Sequence, residues 1–192
     1  MTSRTLRSLL CVSSCALTAA TTSSEISAQQ VRNVVVGFSG GASIPTGEFG
    51  MLASKGYEIG VHLFVAPHDV KKNLSFRGDL SYDRWSGKAA DVGKFRGIGM
   101  LGNAVYALGS RNMMLRPYAL AGAGVHNFQR SFPTNTGDAG TGEIGDTKIA
   151  AQGGAGVQFD LRGFAAFLEG RYVYRFGESK SNWIPVSLGF HF

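Results

Sequence analysis

The chain is poor in charge. Only 17% of its 192 residues are Asp, Glu, Lys or Arg, and it holds five prolines and two cysteines. Both cysteines, Cys11 and Cys15, lie near the start, so the remainder has neither a disulfide nor a thiolate metal site. No apolar run reaches eighteen residues, which excludes a transmembrane helix beyond the N-terminus. His, Cys and Asp nowhere cluster at metal-ligand spacing, so no metal or cofactor is expected. The stretch Gly153-Gly154-Ala155-Gly156 sits inside an alternating segment with no helix after it, and is no phosphate loop. The net charge of +6 is scattered along the chain. A nucleic-acid surface gathers Lys and Arg on one face, so no nucleic-acid partner is expected. Contact with anionic lipid headgroups accounts for the excess more simply.

What the chain has in quantity is glycine, 27 residues, with 11% aromatics. That combination suits closely packed strands and argues against a helical bundle. The N-terminus has the order of a secretory signal: Arg4 and Arg7, an apolar stretch from Leu9 to Ala20, then small residues up to Ala28. Residues 1–28 are therefore expected to be a cleavable signal peptide and 29–192 one domain. Removal of the segment leaves 17 basic and 12 acidic residues, a net charge of +5.

The last nine residues give the clearest pattern. Ile184, Val186, Leu188, Phe190 and Phe192 alternate with Pro185, Ser187, Gly189 and His191. Period two means a strand with two unlike faces. Seven further segments alternate in the same way: Asn33 to Ile44, Tyr57 to Val65, Leu74 to Trp85, Phe95 to Leu108, Leu115 to Phe128, Thr147 to Asp160 and Phe164 to Phe176. Eight strands, each long enough to cross a bilayer when tilted, predict an all-β fold. It is an eight-stranded antiparallel up-and-down transmembrane β-barrel. The connections after odd strands are longer on average, which puts them outside and both termini in the periplasm. Gln129 to Asp146 and Gly47 to Gly56 are expected to be the main outer loops. A barrel of eight is filled by side chains and is no wide channel. A soluble lipocalin-like barrel is the alternative, with its apolar face inward.

Three motifs carry a resemblance: Pro45-Thr46-Gly47, the run Pro117-Tyr118-Ala119-Leu120-Ala121-Gly122-Ala123-Gly124, and Leu188-Gly189-Phe190-His191-Phe192. From about Val31 to Phe192 the chain resembles the small eight-stranded outer-membrane barrels of the OmpA, OmpX and OmpW type. The resemblance implies a monomer in a bacterial outer membrane, in contact with lipid and lipopolysaccharide. It also implies that Leu188, Phe190 and Phe192 are read by the barrel-assembly machinery during insertion.

The face opposite the apolar one carries charge. Arg77-x-Asp79 lies on the third strand and Glu169-x-Arg171 on the seventh. These strands are diametrically opposed in a barrel of eight, and the order of signs is reversed. Arg77 is expected to meet Glu169, and Asp79 to meet Arg171, as a paired plug of buried charge. His62 shares the lumen face and is expected to be a hydrogen-bonded core residue. The aromatics Tyr57, Tyr82, Trp85, Tyr106, Tyr118, Tyr172, Tyr174 and Trp183 are expected to form interfacial girdles. An enzyme acting on lipid would draw on His126, Ser131 and Glu143. His126 and Ser131 are five apart and face opposite sides of a strand, so no catalytic residue is assigned. The expected role is structural or adhesive, through the outer loops, with a narrow channel for small or hydrophobic solutes as the second reading.

Overall fold

Alternation of bulky apolar with small or polar residues forces each segment into extended backbone with one face for each environment. The computed structural model describes residues 34–65, 73–89, 92–109, 113–133, 141–161, 163–177 and 181–192, without the side chains of 132–133 and 141–143. The expected signal peptide, 1–28, lies outside the described residues. In order come β1 (Val34–Thr46), α1 (Gly47–Leu52), β2 (Gly56–Val65), β3 (Leu74–Ser86), β4 (Lys94–Ala107), β5 (Leu115–Pro133), β6 (Thr141–Leu161), β7 (Phe164–Arg175) and β8 (Ser181–His191). Each strand pairs antiparallel with the next, and β8 returns to β1, with Phe38 opposite Phe190 and Ile44 opposite Ile184. The sheet is a closed barrel without free edges.

The apolar face is outside. Phe38, Ile59, Leu80, Leu168 and Leu188 are each 50 to 54% exposed. Glu58, His62, Arg77, Asp79, Glu169 and Arg171 are inside and all but fully buried. A bare apolar belt around a charged interior is the inverse of a soluble barrel, so the lipocalin-like alternative falls. Outward Tyr57, Tyr106 and Tyr172 are exposed, as an interfacial aromatic is.

Three expectations need correction. Trp85, Tyr118 and Trp183 are 1%, 6% and 1% exposed and belong to the interior, not to a girdle. Their parity already put them there: Trp85 shares the odd face of β3 with Arg77 and Asp79. Gln129 to Asp146 is not a loop over its whole length. β5 and β6 stay paired as far as Pro133 opposite Thr141. Residues 144–149 are all exposed, because beyond the bilayer neither face has a dry environment and the alternation that marks a membrane strand disappears. The connection after β1 holds a helix. Thr46 lies in the extended region before it, and α1 is too short to show a helical period in the sequence. On the other side, Gly163, with φ of 96°, turns β6 into β7, a backbone state open to glycine.

Candidate functional site

Midway along the barrel the interior is a single polar network. Arg77 donates from Nη1 to Glu169 Oε2 at 2.6 Å and from Nη2 to Glu169 Oε1 at 2.8 Å, a two-pronged contact from β3 to β7. Its Nη2 also donates to Asp79 Oδ2 at 2.9 Å. Arg171 lies 3.5 Å from Asp79 Oδ2 and 3.1 Å from Glu169 Oε1, and its Nη2 donates to Glu58 on β2. The structure thus brings Arg77, Asp79, Glu169 and Arg171 together. Sequence reading missed Glu58, although it shares the lumen face of β2 with His62.

Neutral groups complete the layer. Tyr118 donates its hydroxyl to Glu169 Oε2 at 2.7 Å. Asn103 donates to Asp79 at 2.9 Å, and Gln152 donates to both Asp79 and Asn103, at 3.1 and 2.6 Å. Which neutral residue meets which charge depends on strand tilt and shear, which parity does not supply. Glycine makes room for them. A Cβ on Gly156 would sit 2.5 Å from the Tyr118 ring, so that inward position tolerates no side chain while Tyr118 stays.

His62 bridges Asp79 Oδ1, at 2.8 Å from Nδ1, and Ser39 Oγ, at 2.8 Å from Nε2. Serine, histidine and aspartate in this order have the connectivity of a nucleophile, base and orienter. Here the same aspartate also holds Arg77, Asn103 and Gln152, and His62 is 2% exposed.

The outer mouth is filled differently. Phe49 of α1 points into the barrel and meets Trp85, Phe95 and Phe128 edge-on, at ring distances of 5.2, 5.3 and 5.3 Å. Trp183 lies 5.4 Å from Trp85. Edge-to-face packing of this kind adds to the burial of each ring. The helix is tied to the turn after β3: Lys88 donates Nζ to Gly50 O at 2.5 Å, and Ala53 forms a bridge with Gly87. Below the rings, Ser43 donates to Asp83 at 3.0 Å and accepts from Trp85 Nε1 at 3.1 Å. His126 Nε2 lies 3.7 Å from Asp83 Oδ2, too far for a hydrogen bond.

The three enzyme candidates do not converge. His126 is fully buried in the lumen, while Ser131 lies on the opposite face of β5 and pairs in register with Glu143. Among the described residues no group of three His, Cys, Asp or Glu side chains is placed to hold a metal ion. Leu188, Phe190 and Phe192 point outward, 53%, 42% and 66% exposed, with Phe190 packed 6.1 Å from Phe164.

Closed eight-strand topology, an apolar exterior and a buried polar interior define the class: a small outer-membrane β-barrel. Comparison with solved structures agrees on the fold. Neisserial surface protein A is similar at a TM-score of 0.62 and 16% identity, covering 83% of this chain and 96% of that one. A major outer-membrane protein of Thermus thermophilus is similar at 0.55 and 11%, covering 83% and 98%. Ail of Yersinia pestis, in complex with the heparin analogue sucrose octasulfate, is similar at 0.50 and 16%, covering 83% and 96%. No family model and no curated protein matches the sequence.

Proposed function

We propose that this protein is a closed outer-membrane barrel without enzymatic activity. Its role is structural or is exercised at the cell surface by its outer end. The observation that carries the reading is the span of the central network. Arg77 on β3 and Arg171 on β7 reach carboxylates on β2, β3 and β7, so charged side chains cross the lumen at mid-depth. An ion passing through would have to break several charge-assisted hydrogen bonds at once. Phe49 and the two tryptophans lie above that layer as a second obstruction. Surface interaction then falls to what lies beyond the bilayer: α1, the extended β5–β6 hairpin and the remaining outer turns. Leu188, Phe190 and Phe192 serve insertion through the assembly machinery.

Planar-bilayer recording tests this directly. The purified protein is expected to insert without reproducible conductance steps. Stable steps of uniform size would replace the reading with that of a narrow channel.

A further inference from the structure

Arg84 and Arg96 stand directly opposite each other on β3 and β4, both exposed and both on the outward face. Like charges in directly opposed positions weaken a strand pair. The next outward residue on β4 is Lys94, also exposed. Among the described residues none of the three is in an ion pair. Arg96 gives both its Nε, at 2.9 Å, and its Nη2 to the side-chain carbonyl of Gln129, a neutral partner that leaves the charge uncompensated and the Nη1 edge free of any partner among the described residues. Three cations are therefore concentrated at the outer end of these strands, at the level where a bilayer presents its headgroups.

An apolar groove of about 340 Å³ begins one outward step below them. One wall is Phe38, Val61 and Leu80, consecutive neighbours across β1, β2 and β3. The other is Ile59, Tyr82 and Ile98, where Tyr82 and Ile98 directly precede Arg84 and follow Arg96 on the same face. Between the walls runs the backbone of Ser39, Gly60 and Ser81.

We infer that this is a docking site for lipopolysaccharide. A phosphate of its lipid portion sits between Arg84, Arg96 and Lys94, and one acyl chain lies in the groove. Guanidinium pairs suit phosphate because each presents two parallel N–H groups to it. A shared anion also converts the Arg84–Arg96 repulsion into attraction. The position selects the lipid: the cluster is at the end away from Phe192, in the outer leaflet, where lipopolysaccharide replaces phospholipid. The inference rests on the outer-membrane reading and its orientation, and adds the place at which the lipid is held and the residues that hold it.

The test compares wild type with Arg84→Gln/Arg96→Gln in neutral zwitterionic micelles. Thermal unfolding is followed by circular dichroism while lipopolysaccharide or, separately, phosphatidylglycerol is added. Without lipopolysaccharide the double variant is expected to unfold at or above the wild-type temperature, because repulsion has been removed. With lipopolysaccharide the wild-type midpoint rises and that of the variant stays. Apparent affinity is expected to fall about tenfold or more. Phosphatidylglycerol raises the wild-type midpoint less. A Leu80→Trp variant, which fills the groove and keeps the arginines, loses part of the rise. Equal rises in wild type and double variant, an equal rise with phosphatidylglycerol, or a double variant less stable than wild type without lipid would each overturn the inference. Insertion without any lipopolysaccharide shift sinks this inference alone. Failure of the wild type to insert in any bilayer sinks the barrel reading with it.

Discussion

Buried side chains meet across the middle of the barrel and across its outer mouth, but they are of opposite kinds. In the middle, carboxylates and guanidiniums converge from strands on opposing sides, and each main charge has several partners. At the mouth, aromatic rings do the filling, and the polar atoms beneath them are poorly served. Asp83 Oδ2, both ring nitrogens of His126 and Trp183 Nε1 are buried without a hydrogen-bond partner. A buried charge is tolerable only when paired, so the middle layer is interdependent: remove one member and another is stranded. The aromatic layer is additive, and its orphaned polar atoms suit ordered water. The difference separates an interdependent layer from an additive one.

Breaking the middle is expected to cost most. Asp79 accepts from Arg77, Asn103, Gln152 and His62 together, and Asp79→Ala takes the shared acceptor from all four buried donors at once. A loss of about 3–5 kcal/mol is expected in urea unfolding from lipid vesicles. An unchanged midpoint would mean that the network does not hold the barrel. Phe49→Ala tests the mouth. Deleting a buried ring costs about 3 kcal/mol locally. Because α1 is an appendage to the sheet, the loss is expected to appear as faster proteolytic cleavage in 47–55, with the barrel's own unfolding shifted little. Equal losses from both probes would erase the distinction. The smallest effect is expected from His126→Phe. No hydrogen bond is lost, so global stability is expected to change by less than about 1 kcal/mol. A large loss would show that His126 is partnered through water to Asp83.

The two regions also differ in how legible they were. Period-two parity alone assigned the interior faces of β3 and β7, so Arg77, Asp79, Glu169 and Arg171 could be placed opposite one another from the sequence. Glu58, Asn103 and Gln152 have the same parity but are set against those charges by tilt and shear, which leave no mark in the sequence. The mouth is hidden by a conflict of signals: residue type points Trp85 and Trp183 to an interfacial girdle, while their parity puts them in the interior. Phe49 was hidden for another reason: a six-residue helix is shorter than two turns and carries no period. The extension of β5 and β6 past the membrane was hidden because a hairpin in water needs no apolar face.

Arg77 and Glu169 hold β3 and β7 together across the lumen. A double-mutant cycle measures it: Arg77→Met, Glu169→Leu and the pair, each by urea unfolding in vesicles of one composition. Each single change is expected to cost about 3 kcal/mol or more. The double variant is expected to recover much of that, because neither partner is left unpaired, giving a coupling of about 2 kcal/mol or more. Strictly additive losses, with no coupling, would contradict the claim.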